Sequence, residues 1–285
     1  MATIAAVPGV RIAGGGTSAD LRALWVVWKR ELIRFRRNRM RIVTSLAQPV
    51  LFLFILGTGL STVISTADHF NFRTFMFPGI LGMTVLFTSI FSAISIVWDR
   101  EFGFLREMLV APVHRWTLVL GKCLGGATVA TIQGAIMLAL AGLVGVPYNP
   151  VMLLVLVAEM VLTAFALTAF GVMLAARISD VQSFQVITQL FVLPMFFLSG
   201  AVFPVTKLPV WLGILSKIDP LSYAVDPIRK EVFTYLSIPP VIRHTFDPGI
   251  SWGSWNLPVF VEVGLVAVAA VVMLSIAIRQ FSRPT

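Results

Sequence analysis

The sequence predicts an all-α membrane protein. It has six transmembrane helices, an N-terminal amphipathic helix in the membrane interface, a short amphipathic cytosolic helix between spans two and three, and re-entrant helices before the last span. Three observations carry this. Of 285 residues, 58% are hydrophobic and only 12% charged, against about 25% charged in a soluble domain. The apolar residues gather in six runs, each near the roughly 20 residues a helix needs to cross a bilayer. Too little chain remains between the runs to build an aqueous domain. Residues 20–285 therefore read as one transmembrane domain behind a flexible tail, 1–19, that contains Gly14, Gly15 and Gly16.

The elements follow in order. Over 20–40, Leu21, Leu24, Trp25, Trp28, Leu32 and Phe35 recur at helical spacing, and Arg22, Lys29, Arg30, Arg34, Arg36 and Arg37 fill most of the remaining surface. That pattern predicts a helix with its apolar face in lipid and its basic rim at headgroups. The plainer alternative is a basic flank that orients the first span. The spans are expected at Val43–Ser65, Phe77–Trp98, Leu124–Val146, Val151–Ala176, Phe184–Phe203 and Leu257–Ile278. A third span begun near Leu118 instead brings Lys122 to the cytosolic rim, where its stem can snorkel.

The formal net charge of +9 sits mostly beside the spans. It therefore points to membrane orientation and lipid headgroups, not to nucleic acid. With both termini inside, sixteen of the 22 Lys and Arg residues fall on the cytosolic side and six outside, so both termini are expected in the cytoplasm. Residues 1–20 have no long apolar core behind a basic start, and Arg11 interrupts them, so no cleavable signal peptide is expected. Cys123 stands alone, which excludes an internal disulfide.

Two carboxylates fall inside spans. Glu262, near the outer end of the sixth, is placed to reach water. Glu159, about two turns into the fourth, is a candidate for substrate or proton movement, or else a neutral packing residue.

Two connecting segments are not ordinary loops. In 99–117, Phe102, Leu105 and Leu109 fall on one helical face with Met108 beside them, charges fill the other face, and Pro112 stops the helix. Such a helix buries its apolar face in the interface or in a groove on a partner protein. In 194–256, Pro194, Pro204, Pro209, Pro220 and Pro227 punctuate apolar pieces too short to span. These read as re-entrant or interfacial helices, whose freed backbone groups require burial in protein or contact with a water-filled cavity. Trp252 and Trp255 mark the outer interface.

Signatures of catalysis do not occur. Gly121-Lys122 is followed by Cys123, so no phosphate-binding loop of the form G-x-x-x-x-G-K-[ST] is present. His69, His114 and His244 are far apart, and no G-x-S-x-G turn appears. The chain is expected to be no enzyme itself and to hold neither cofactor nor metal.

The run from Phe77-Pro78-Gly79-Ile80 through Trp98-Asp99-Arg100-Glu101-Phe102-Gly103-Phe104-Leu105-Arg106-Glu107-Met108-Leu109-Val110-Ala111-Pro112-Val113 resembles permeases of the type-2 ABC exporters, in particular the branch with daunorubicin-resistance and nodulation-factor permeases. Leu198-Ser199-Gly200 with Phe203-Pro204, then Asp219-Pro220-Leu221-Ser222-Tyr223-Ala224, resembles a second signature of that family. The resemblance covers about residues 20–280. It departs at Asp219, where Asn is more usual, and at His114, where Ser is common.

The resemblance implies a multi-pass permease of the cell membrane (plasma or bacterial inner membrane), paired with a second copy or a sister permease and with two separately encoded ATPase subunits that hold ATP and Mg. Residues Glu101–Leu109 would be the coupling helix, with Phe102, Leu105 and Leu109 docking on the ATPase and Asp99, Arg100, Glu101 and Glu107 as polar anchors. Residues 21–38 would be the interfacial helix, with Trp25, Trp28, Arg30 and Phe35 at the lipid boundary. Segment 204–229 would face the exit, and Glu159, Phe203, Pro204 and Tyr223 are candidates for the translocation path. Spans rich in Phe, Leu, Val and Met favour an amphipathic or hydrophobic cargo: a drug-like molecule, a lipid or a lipid-linked glycan. The rivals are an ion- or proton-coupled secondary transporter and an intramembrane lipid-processing enzyme. The first would show broken helices in both halves, and the second clustered polar catalysts at one depth.

Overall fold

The computed structural model describes residues 16–63, 72–104, 113–202, 209–236, 249–252 and 255–282. The first helix, α1 (Thr17–Arg37), ends at Asn38 and is followed at once by α2 (Arg39–Leu51). Pro49 inside α2 cannot donate to the Ser45 carbonyl. The ladder then widens into a π-helical turn, Phe52–Leu56, before α3 (Gly57–Val63). Next come α4 (Phe72–Ser92) and α5 (Ile94–Glu101), joined through a turn at Ala93. Then follow α6 (Arg115–Leu138), a 3₁₀ turn at Ala141–Val144, α7 (Pro150–Ala175) and α8 (Val181–Leu198). Two short helices, α9 (Val210–Ile218) and α10 (Ser222–Thr234), precede a two-residue antiparallel pairing of β1 (Ser251–Trp252) with β2 (Trp255–Asn256). The last element is α11 (Val259–Ser282).

Six helical stretches are long and apolar enough to cross a membrane: Ile42–Ser61, Phe72–Glu101, Arg115–Leu138, Pro150–Ala175, Val181–Leu198 and Val259–Phe281. They match the six apolar runs of the sequence with shifted ends: the second begins at Phe72 where Phe77 was expected, the third ends at Leu138 where Val146 was expected, and the fifth runs Val181–Leu198 where Phe184–Phe203 was expected. The third span starts at Arg115, which places Lys122 two turns inside the helix. The second extends to Glu101 and counts 30 residues. That is about 45 Å of helix against a hydrocarbon core of about 30 Å, more than a perpendicular crossing needs.

The second span is the centre of the bundle, with seventeen of the 21 residues of α4 buried. Glycines allow its close approaches: a Cβ at Gly82 would come within 2.6 Å of Val225 on α10, and one at Gly126 on α6 would meet Thr168 on α7 at 2.6 Å. Small residues at helix crossings are the usual route to tight packing in lipid. The first and sixth spans are peripheral, with only 17% of each apolar window buried.

Helix α10 is buried along Ser222–Arg229 and at Val232 and Phe233, packed among α4, α7 and α11. At thirteen residues it is too short to span. Arg229 Nη2 donates to the Gly200 carbonyl, and its guanidinium lies 4.6 Å from the centre of the Phe75 ring. Both ends of the described chain meet the start of the third span. Asp20 contacts His114, and Arg115 Nη1 donates to the Phe281 carbonyl at 2.8 Å.

Candidate functional site

Helix α1 does not rest on its apolar stripe alone. Its buried residues are Asp20, Val27 and Glu31, the face turned to α6, whereas Leu21 and Trp25 of the predicted stripe are exposed. The seat is made by Gly121 and Gly125, one helical turn apart on α6. A Cβ at Gly121 would lie 3.0 Å from Val27, and one at Gly125 would lie 2.7 Å from the Cβ of Glu31. Trp28 is half-buried, has its ring centre 4.7 Å from that of Trp25 at a tilt of 35°, and donates through Nε1 to Thr128 Oγ1 at 3.1 Å. Asp20 closes the first turn. Its Oδ1 accepts from the His114 backbone N–H at 3.1 Å, and its Oδ2 lies 2.8 Å from His114 Nδ1. The His114 amide bond holds the Asp20 carboxyl below its ordinary value, against the desolvation that opposes it.

Further along the same seat five charged groups converge. Lys122 Nζ lies 2.7 Å from Glu31 Oε1, 2.7 Å from Asp99 Oδ2 and 2.9 Å from Ser95 Oγ. Arg30 Nη2 reaches Asp99 Oδ2 at 2.6 Å, and Arg34 Nη2 lies 3.6 Å from Asp99 Oδ1. Glu31, Asp99 and Lys122 are all buried. The network therefore joins α1, the end of the second span and the third span by bonds that solvent screens little.

Arg100 adds a fourth element. Its guanidinium donates to the carbonyls of Ala176 and Ile178, between spans four and five, both at 2.7 Å. Immediately beyond, the helix ends. Phe102 N–H bonds to the Trp98 carbonyl, and Gly103 takes φ +81°, the left-handed conformation that closes helices. Phe102 and Phe104 project outward, 71% and 55% exposed.

Of the predicted coupling residues, Asp99 and Arg100 are thus engaged within the chain, and Glu101 and Phe102 are exposed. The amphipathic helix expected from Glu101 onward is interrupted at Phe102–Gly103, because glycine in the left-handed region ends the preceding helix there. Leu105, Glu107 and Leu109 lie outside the described residues. Arg30 belongs to the charged network, and Phe35 lines a cavity beside it.

At the other end of the bundle, Glu159 and Tyr223 border one crevice with Pro227 and Val263. Glu159 Oε2 has no hydrogen-bond partner among the described residues. Tyr223 OH donates to the Lys217 carbonyl at 2.6 Å and accepts from Trp252 Nε1 at 3.0 Å. Phe203 and Pro204 lie outside the described residues. Glu262, expected to reach water, is instead fully buried and 2.8 Å from Lys230, which also pairs with Asp226 at 2.6 Å. The sequence carried a signal for Lys122, a lysine inside an apolar run, but none for its partner Glu31, 91 residues away.

Residues 22–233 match the family described as ABC-2 type transporter. The chain is 30% identical over 216 residues to a protein named as transport permease ycf38 of Cyanophora paradoxa, covering 73% of each. It is 28% identical over 206 residues to nodulation protein J of Rhizobium leguminosarum bv. viciae, covering 71% of this chain and 79% of that one. It is 30% identical over 167 residues to a protein named as multidrug ABC transporter permease YbhR of Escherichia coli K12, covering 58% of this chain and 45% of that one. With the six apolar helices already described, the match over most of its length means that this multi-pass transmembrane chain belongs to the ABC-2 type transporter permease family.

Proposed function

We propose that the chain is the permease subunit of an ATP-driven exporter that moves an amphipathic or hydrophobic compound across the cell membrane. Both termini lie in the cytoplasm, and hydrolysis of ATP, with Mg, occurs on two separate ATPase subunits. The observation that carries this reading is the end of the second span. There two exposed phenylalanines, Phe102 and Phe104, flank the glycine that closes a helix whose last turn is bound to α1, the third span and the loop between spans four and five. Exposed apolar side chains at a helix end suit a groove on a partner protein. A push delivered there reaches four elements at once. The chain then supplies the two arrangements of the bundle, and the nucleotide supplies the bias between them.

A second permease copy or a sister subunit completes the path, with the exposed flanks of spans one, five and six facing it or lipid. One relative is named as a multidrug ABC transporter permease, which supports a drug-like compound as one class of cargo. A second reading, coupling to protons or ions, draws on the buried group Asp226, Lys230 and Glu262. Reconstitution in proteoliposomes with the partner ATPase separates the two. The exporter reading requires that a hydrolysis-deficient ATPase abolish transport and that dissipating ion gradients leave it unchanged. Transport that persists without nucleotide overturns the reading.

A further inference from the structure

The cluster of Asp226, Lys230 and Glu262 carries one negative charge too many. Lys230 Nζ lies 2.6 Å from Asp226 Oδ2 and 2.8 Å from Glu262 Oε1. Asp226 is 6% exposed and Glu262 not at all. The other polar contacts of the cluster are with neutral backbone. The Ile250 N–H donates to Asp226 Oδ2 at 3.3 Å, and Lys230 Nζ donates to the Leu257 carbonyl at 3.4 Å. Glu262 Oε2 is buried and has no hydrogen-bond partner among the described residues. With both carboxyls ionised, two buried negative charges share one ammonium, and one charged oxygen has no donor. Two carboxyls held on one nitrogen are near neighbours, and like charges in one site do not both ionise. Buried charge without a partner neutralises instead.

The lysine is not the group that gives way. Burial works against its ammonium, but Asp226 and Glu262 beside it outweigh burial and raise its pKa. Among the described residues no second cation balances the pair. Helix α10 is packed among α4, α7 and α11. Arg229 on α10 turns to the Gly200 carbonyl and the Phe75 ring. Arg73 on α4 lies against Gly57, and Arg279 sits in the last turn of α11, at the far end from Glu262. The remaining titratable groups on these helices are Tyr223 and Glu231 on α10 and Glu159 on α7, none of which supplies positive charge.

We propose that Asp226 and Glu262 bind one proton between them at neutral pH, which makes the cluster a proton-dependent clamp joining α10, the segment before β1 and the sixth span. With the proton the buried cluster is neutral: one carboxylate, one carboxyl and one ammonium. Without it a net negative charge is buried where the three elements meet, and the clamp weakens. Lys230 is the member open to water, its side chain 20% exposed, and the proton exchanges with solvent along that edge. A resident proton moves no cargo, so the proposal needs neither the exporter reading nor the ion-coupled one.

The test uses the full chain in phosphatidylcholine nanodiscs, without ATPase or nucleotide. Infrared difference spectra at about pH 7 report the carbonyl stretch of protonated carboxyls, where carboxyls of ordinary pKa, about 4, are ionised. Glu262→Gln and Asp226→Asn each remove the same component of that band, because either substitution leaves one carboxyl for one ammonium. A component lost in only one variant marks a single buried acid instead of a shared proton and overturns the proposal, as does loss in neither. A second measurement needs only the parent. The closed clamp holds the proton, and the opened one, with ordinary carboxyls, releases it, so opening becomes easier as pH rises. Protection of the Ser222–Thr234 amides, corrected for intrinsic exchange, therefore falls between about pH 5 and about pH 7, by up to about tenfold per pH unit, the limit for one linked proton. Glu262→Gln levels that slope. Level protection in the parent overturns the proposal even where a variant fails to fold. Neither measurement involves ATP-dependent transport, which tests the exporter reading separately.

Discussion

Replacing Lys122 by methionine keeps most of the side-chain length and deletes the charge between two buried carboxylates. Asp99 retains Arg30 at 2.6 Å, but the nearest remaining cation to Glu31 is Arg30 at 3.8 Å. One buried carboxylate is therefore left without a close partner. Breaking a buried pair from one side costs about 3–5 kcal/mol. The partner that Asp99 retains sets the expectation near the lower bound, about 3 kcal/mol, or roughly a hundredfold loss in the folded population. Unfolding by SDS in mixed micelles, followed by tryptophan fluorescence, measures this. Adding Glu31→Gln to Lys122→Met removes the orphaned charge and restores about 1–2 kcal/mol. A Lys122→Met variant within about 0.5 kcal/mol of the parent, or strict additivity in the double variant, refutes the buried network.

Three further outcomes follow from the same geometry. Gly125→Leu places side-chain atoms where Glu31 already sits; it destabilises by about 1–3 kcal/mol and speeds hydrogen exchange in Thr17–Arg37. Asp20 has a depressed carboxyl pKa, so its clasp on His114 contributes fully above the ordinary value of 3.8 and is lost as pH falls through the lower folded value. The Asp20 carboxylate therefore contributes to the protection factors of the α1 amides, exchange corrected for its intrinsic pH dependence, until the pH falls below 3.8; protection drops only in stronger acid, and Asp20→Asn removes that drop. Lys230→Met leaves Asp226 and Glu262 without their shared cation; it lowers stability in the SDS assay by about 3 kcal/mol or more, and adding Glu262→Gln recovers part of the loss.

Much of the architecture was legible because bilayer thickness dictates helix length. The six apolar runs and the two short helices before the last span stand out by hydropathy and proline alone. The start of the third span was misplaced by nine residues because Lys122 and Gly121 interrupt its apolar signal, and the reason they are tolerated is tertiary. Gly121 and Gly125 admit α1, and α1 supplies the carboxylate that pairs the lysine. The same cause hid the contacts of α1 with the bundle. Periodicity finds its apolar stripe, but the face it buries carries Asp20 and Glu31, acceptable only because α6 and the second span bring His114 and Lys122 to them. Glu262 was misjudged for want of Lys230, 32 residues earlier. The break at Gly103 was missed, because the spacing of Phe102, Leu105 and Leu109 runs through it and its left-handed φ is a matter of backbone geometry.

The most direct measurement replaces Phe102 and Phe104 by aspartate in the assembled complex and reads ATP hydrolysis and export in the same vesicles. The account predicts that the complex still hydrolyses ATP while export falls to background, because the bundle no longer receives the push at the end of its second span. Export at the parental rate, with both aspartates present and the protein inserted normally, would contradict it.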